Sequence, residues 1–71
     1  MNNAVSLLED YMKVTHPMIH AELFRIDRLK QGYLAVFDCK PGGKEPAWVP
    51  QYRVVYLHEL TERVLFDFVA A

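Results

Sequence analysis

Phe24-Arg25-Ile26-Asp27-Arg28-Leu29-Lys30-Gln31-Gly32-Tyr33-Leu34-Ala35-Val36-Phe37-Asp38 is the stretch that decides the fold. Its pattern is typical of two β-strands joined by a short turn at Lys30-Gln31-Gly32. Aromatic and β-branched residues on both sides of the turn favour strands. Gly32 is expected to supply the positive φ of a tight hairpin. A further hydrophobic segment, residues 51–57, is expected to lie beside this hairpin as a third strand.

The first strand of this meander is the least distinct of the three. Residues 18–30 also fit one side of an amphipathic helix, with Pro17 at its first turn. The alternation of Phe24 and Ile26 with charged neighbours favours the strand. Residues 33–39 are predicted to form the second strand. Residues 40–50, which contain three prolines and two glycines, are predicted to form a loop.

Helices are predicted at both ends of the chain. Residues 3–14 carry an apolar stripe at helical spacing, Asn3 is a suitable N-cap, and Pro17 follows the end. Residues 58–71 fit either a helix or an alternating strand. We prefer the helix, because no glycine marks a hairpin after Leu57 and the segment Glu59–Arg63 favours helix. Such a helix leaves Phe66 and Val69 near its polar side.

The predicted fold is therefore a single α+β domain over residues 1–71. It consists of an N-terminal helix, a three-stranded antiparallel meander and a C-terminal helix. The alternative is a helix followed by a small β-barrel of four or five strands.

The composition indicates a small protein in which some apolar residues must remain exposed. A chain of 71 residues buries only about 60% of its unfolded surface. Cys39 is the single cysteine, so no internal disulfide is possible, and a reducing compartment is expected. Hydrophobic residues make up 52% of the chain, and clustered exposed apolar groups usually mark a contact surface. We therefore expect self-association, most simply as a homodimer.

Charge and hydropathy exclude several classes of partner. The net charge is −1, from eight basic and nine acidic residues, so electrostatics favour neither nucleic acid nor an anionic membrane. The N-terminus lacks the basic region of a signal peptide, and no apolar run approaches the roughly 18 residues of a membrane span. A soluble, cytoplasmic protein is expected.

No residue pattern predicts a catalytic, metal or cofactor site. His16 and His20 are four residues apart, as metal ligands on a helix would be, but Pro17 lies between them and no third ligand is near. Cys39 and His58 could form a thiolate–imidazole pair oriented by Asp38, yet no signature of a nucleophile surrounds Cys39. Cys39 is expected to be a small buried hydrophobic residue without a function of its own.

A glycine pair followed by lysine invites comparison with a phosphate-binding loop. Gly42-Gly43-Lys44 lacks the rest of that motif, and Glu45-Pro46 follows where a serine or threonine would stand. A flexible turn is the expected structure.

Trp48 is the most informative single residue for binding. It lies between Pro46 and Pro50, in a loop where burial is hard to achieve, and tryptophan is enriched at binding hot spots. It either anchors a partner or folds back as a lid on the sheet. The residues predicted to bind a partner are Trp48, Tyr52, Arg53, Lys44, Phe66 and Val69.

Basic residues interleaved with aromatic ones suggest a second class of partner. They could line one edge of the sheet: Arg25, Arg28, Lys30, Lys40, Lys44 and Arg53, with Tyr33, Trp48 and Tyr52. Such a strip suits single-stranded nucleic acid, although acidic residues between them dilute the charge. A helix followed by short strands is similar to Sm-like or OB-like nucleic-acid-binding proteins, but the motifs of those families are not present.

The favoured function is therefore non-enzymatic binding of another protein, with inhibition or modulation of that protein as the result. In size and style the chain resembles accessory and inhibitory proteins of phages and mobile elements, including anti-CRISPR-type inhibitors. That resemblance rests on no sequence motif. Nucleic-acid binding is the alternative, and no cofactor is expected.

Overall fold

One helix and four strands account for the regular structure of the protein. The structure, a computed structural model, describes residues 3–41 and 51–70. Its elements in chain order are α1 (Ala4–Thr15), β1 (Ile19–Arg28), β2 (Gly32–Pro41), β3 (Gln51–His58) and β4 (Val64–Ala70). The strands form one antiparallel sheet in the order β1-β2-β3-β4. The α+β class, the first helix and the three predicted strands are therefore confirmed.

Helix α1 forms where the apolar spacing predicts it. Ala4, Leu8 and Met12 lie on one side and are buried. Asn3 occupies the N-cap position, but its side chain makes no capping hydrogen bond. The helix ends at Thr15, and His16, its C-cap, stands immediately before Pro17, as expected because the residue before proline avoids helical angles. With 12 residues, α1 is too short to cross a bilayer, and residues 3–41 and 51–70 contain no other helix.

The predicted C-terminal helix is wrong, because residues 64–70 form strand β4. The turn that precedes β4 needs a left-handed residue, and Glu62 supplies it with a φ of 55°. The backbone N–H of His58 donates to the carbonyl of Arg63 across this turn, at 2.8 Å. The turn therefore needs no glycine, and the β-branched and aromatic residues that follow alternate as a strand.

The sheet has four strands rather than the predicted three, and it is open. Strand β1 pairs only with β2, and β4 pairs only with β3, among the described residues. Both are therefore edge strands of an open sheet, and the alternative prediction of a small closed β-barrel is wrong. The predicted loop of residues 40–50 lies outside the described residues beyond Pro41, and so do Gly42, Gly43, Lys44 and Trp48.

Gly32 starts β2, but not for the predicted reason. No glycine among the described residues has a positive φ. A Cβ atom at Gly32 would instead collide with the carbonyl oxygen of Leu57 and lie 2.8 Å from the Tyr56 hydroxyl. The close approach of β3 therefore excludes a side chain there.

The core lies between α1 and one face of the sheet. The buried cluster comprises Ala4, Leu8, Met12, Tyr33, Ala35, Phe37, Cys39, Val55 and Leu57. Because side chains alternate along a strand, the residues between these core positions point to the other face. No described helix or strand packs over that second face.

Candidate interaction surface

The sheet face opposite α1 carries exposed apolar side chains that no described helix or strand covers. We call it the open face. Strand pairing arranges its side chains in rows across the sheet. Two rows are Asp27–Leu34–Tyr56–Phe66 and Arg25–Val36–Val54–Phe68, and a third is Glu22–Asp38–Tyr52–Ala70. The charged residues lie on β1 and at the end of β2, whereas β3 and β4 supply apolar and aromatic groups.

A β-bulge adds Phe24 to the open face. The pairing of β1 with β2 shifts between Leu23 and Arg25, so Phe24 is the extra residue. Its ring reaches across β2 to that of Tyr52, with 5.3 Å between the ring centroids. Bulges commonly redirect side chains in this way. Phe24 nevertheless remains 64% exposed, so its partner ring covers only part of it.

A second aromatic pair lies at the β4 side of the open face. The rings of Tyr56 and Phe66 are 5.8 Å apart between centroids and tilted. Phe66 and Phe68 are both more than half exposed. Soluble monomers rarely expose large apolar patches, and such patches generally mark binding sites. The three phenylalanines on this uncovered face therefore indicate a candidate binding surface.

The charges on the open face are mixed, and an acidic pair lies near one end. Glu22 and Asp38 lie directly opposite each other on β1 and β2, and His20 and Lys40 form the next row. Like charges in opposed positions destabilise a sheet, and His20 Nε2 lies 3.6 Å from the Glu22 carboxylate. Arg25 is bound to Asp27, with Nε donating to a carboxylate oxygen at 2.9 Å. The apolar part of the face therefore borders an acidic pair whose remaining repulsion a basic group from outside would relieve.

The opposite face contains a polar cluster that fastens β4 to the helix. Asp67 accepts hydrogen bonds from the Tyr11 hydroxyl at 2.5 Å and from Arg53 at 3.0 Å. His16 Nε2 lies 2.7 Å from the same carboxylate. These polar atoms bind one another, which makes the cluster a structural clamp between α1, β3 and β4.

The clamp shifts the pKa values of two of its members. Burial alone would raise the pKa of Asp67, but hydrogen bonds from Tyr11 and His16, together with the charge of Arg53, hold it below its ordinary value. Burial and the neighbouring Asp67 carboxylate raise the pKa of Tyr11. Both shifts favour an ionised Asp67 beside a protonated Tyr11, which is the arrangement that the hydrogen bond requires.

The six residues predicted to bind a partner do not form one group. Tyr52 and Phe66 lie on the open face. Arg53 lies on the helix side, where Asp67 holds its guanidinium. Val69 is on that same side, at the exposed edge of the sheet. Trp48 and Lys44 lie outside the described residues.

The predicted basic strip is divided between the two faces. Arg25 and Lys40 belong to the open face, whereas Arg28 and Arg53 lie on the helix side. Arg28 lies over the Tyr33 ring, 5.0 Å from its centroid, and pairs with Glu59 at 2.6 Å. The strip is divided because neighbouring positions along a strand point to opposite faces, and carboxylates already engage the three arginines.

The residues considered as catalytic or metal-binding candidates also lie far apart or have other partners. Cys39 is buried under α1 beside Gln51, whereas His58 lies at the other end of the sheet beside Gly32. Burial raises the pKa of the Cys39 thiol. His16 belongs to the clamp, and the described residues contain no group of three or more potential metal ligands.

Sequence reasoning missed Phe24 and Phe68 as surface residues. For Phe24, the sequence does contain a pattern that indicates its exposure. Phe24 follows Leu23 directly, and two adjacent large apolar residues in a half-buried strand imply a bulge or a second apolar face.

No protein-family model, curated protein or solved structure matches this chain, so its function is inferred from this surface.

Proposed function

We propose that the chain is a non-enzymatic protein that binds another protein through the open face of its sheet, and that this binding inhibits or modulates the partner. The observation that carries the proposal is the exposed aromatic surface of Phe24, Phe66 and Phe68 on a face that no described element covers. Aromatic residues contribute much of the binding energy at protein interfaces.

The partner we propose has an apolar patch bordered by lysine or arginine. The apolar patch would pack on β3 and β4, and the basic group would lie over Glu22 and Asp38. Relief of repulsion between these two carboxylates would then favour the complex. Groups retained at a cost to the fold are often functional.

Nucleic acid is the second candidate, since single-stranded bases stack on aromatic rings of open sheets. The charges on the open face argue against it. Glu22, Asp27 and Asp38 outnumber Arg25 and Lys40, and the Arg25 guanidinium is already paired with Asp27. A phosphate backbone needs cations along its path, so we favour a protein.

The first experiment compares capture of proteins from a host lysate treated with nuclease. The baits are the wild-type chain, Phe24→Ser, and Val14→Ser as the matched control. Val14 is 81% exposed but lies on α1, away from the open face. We expect a protein captured by the wild type and by Val14→Ser to be lost at least tenfold with Phe24→Ser. Equal capture by all three baits would contradict the proposal.

The second experiment separates binding from folding. Asp38→Asn removes the repulsion across the strand pair, so we expect a higher melting temperature together with weaker capture of the same protein. A residue kept only for the fold would change stability and capture in the same direction. Titration of a labelled single-stranded oligonucleotide at physiological salt tests the alternative, which submicromolar binding sensitive to Phe24→Ser would support.

A further inference from the structure

The two edges of the sheet differ in how they are protected. Strand β1 carries five charged or histidine side chains and a bulge, which are devices that keep an edge from pairing. They are His20, Glu22, Arg25, Asp27 and Arg28. Strand β4 also has a bulge, at Leu65, where its pairing with β3 shifts. Its single charged residue is Asp67, whose carboxylate points inward to Tyr11 and Arg53. Between Phe66 and Ala70, edge β4 therefore carries no outward charge, unlike edge β1.

The side chains of the β4 edge are apolar on both faces of the sheet. Val69 lies on the helix side, Phe66 and Phe68 lie on the open face, and Leu65 is the extra residue of the bulge. Each of the four is between 51% and 58% exposed. An edge of this kind is a template for another strand.

The sequence of β4 reads almost the same in both directions about Asp67. The strand is Val64-Leu65-Phe66-Asp67-Phe68-Val69-Ala70. Antiparallel pairing of two copies centred on Asp67 places Phe66 opposite Phe68 twice, and brings Val69 of each copy beside the Leu65 bulge of the other. A two-fold symmetric contact requires this kind of self-complementarity. An unrelated strand would match the edge only by chance.

We propose that two copies of the chain associate through β4 into a continuous eight-stranded antiparallel sheet, with the pairing centred on Asp67. Both helices then lie on one side of that sheet and both open faces on the other. This inference does not rest on the proposed function, although the rings of Phe66 and Phe68 belong both to the β4 edge and to the open face.

The charge at the symmetry axis is compatible with this pairing. Two Asp67 residues would face each other, and like charges in opposed positions repel. Each carboxylate is, however, already paired with its own Arg53 at 3.0 Å and held by Tyr11. Each carboxylate is therefore already balanced by a positive charge, which weakens the repulsion between the two copies.

The area available agrees with a weak but specific dimer. Given the usual size of these side chains, the four exposed groups offer roughly 400 Å² on each copy. Two copies would bury at most about 800 Å² of side-chain surface before the strand backbone is counted, which is below the roughly 1,200 Å² of standard specific interfaces and within the range of weak, transient ones. We expect a dissociation constant in the micromolar range.

A charge-swap experiment tests both the edge and the register. One variant carries Phe66→Glu and Phe68→Glu, and the other carries Phe66→Lys and Phe68→Lys. In the proposed register these positions oppose each other, so each variant repels itself and attracts the other. By sedimentation, we expect each variant alone to sediment as a monomer of 8.3 kDa and an equimolar mixture to form the heterodimer. Failure of the folded variants to recombine would overturn the register.

Phe24→Glu is the matched control on the other edge. Phe24 is as exposed as the β4 residues but lies on β1, so the variant should dimerise within twofold of the wild type. Dissociation by Phe24→Glu, with the β4 variants still dimeric, would move the contact to the open face and overturn the proposal.

A measurement on the wild type keeps the proposal falsifiable even if a variant fails to fold. Amide hydrogen exchange is followed at a low and a high protein concentration. We expect protection of residues 64–70 to rise at least tenfold with concentration, while β1 changes little. A wild-type chain that stays monomeric at millimolar concentration would overturn the inference.

Discussion

The carboxylate of Asp67, in the last strand, accepts a hydrogen bond from the phenol of Tyr11, in the only described helix, at 2.5 Å. The two residues are 56 positions apart in sequence. Because α1 packs mainly over β1 and β3, this bond fastens the helix to the strand at the far edge of the sheet. Loss of this hydrogen bond should therefore lower the stability of the whole fold.

The first prediction is that Asp67→Asn lowers the free energy of unfolding by about 2–4 kcal/mol. The amide keeps the shape of the side chain but leaves Arg53 without its countercharge. Urea unfolding followed by circular dichroism gives the value. Asp10→Asn, on the exposed side of α1, is the control and should change it by less than about 0.5 kcal/mol. Equal effects of the two substitutions would mean that the clamp contributes nothing.

The second prediction concerns acid. The folded-state pKa of Asp67 is lowered, so its contribution to stability is complete above the unfolded value of about 4. That contribution is lost as the pH falls through the lower folded value. Urea unfolding between pH 2 and pH 6 should therefore show a steeper loss of stability for the wild type than for Asp67→Asn. Parallel pH profiles of the two proteins would refute this.

The third prediction concerns alkali and has the opposite sign. The folded-state pKa of Tyr11 is raised, so its contribution is complete below the unfolded value of about 10. It disappears as the pH rises through the higher folded value. The stability difference between wild type and Tyr11→Phe should shrink above about pH 10. A difference that stays constant up to pH 11 would count against the bond.

The fourth prediction concerns the turn before β4. Glu62 has a φ of 55°, a conformation that costs a residue with a Cβ about 1 kcal/mol. Glu62→Gly should therefore stabilise the fold by about 0.5–1 kcal/mol, measured by thermal unfolding. Glu62→Ala is the control, because alanine bears the same strain and should give no gain. A gain with alanine would show that the Glu62 side chain, and not its backbone, is unfavourable.

The fifth prediction concerns Gly32. A methyl group there would meet the Leu57 carbonyl and the Tyr56 ring, so Gly32→Ala should cost about 2–3 kcal/mol. Gln31→Ala, at the neighbouring exposed position, should cost much less. Far-ultraviolet circular dichroism and urea unfolding provide the comparison. An unchanged midpoint for Gly32→Ala would mean that β3 can withdraw from this position.

Local pattern was sufficient to predict α1 and the first three strands. Their periodicities favour these elements, although residues 18–30 also fit a helix, and Pro17 and Gly32 lie at their boundaries. The segment after Leu57 was misassigned because a glutamate takes the left-handed position that was expected to need glycine. The Asp67 clamp was missed for a different reason. It joins residues from three elements, and no local spacing records which strand will bring Arg53 and Asp67 together.

The asymmetry between the two edges also sets how far an assembly can grow. If pairing consumes both β4 edges of a dimer, the strands left outermost are two copies of β1. Their charges and the bulge at Phe24 oppose the addition of a third chain. The association should then stop at two chains instead of polymerising into a fibre, although the segment that drives it is as apolar as many fibre-forming strands.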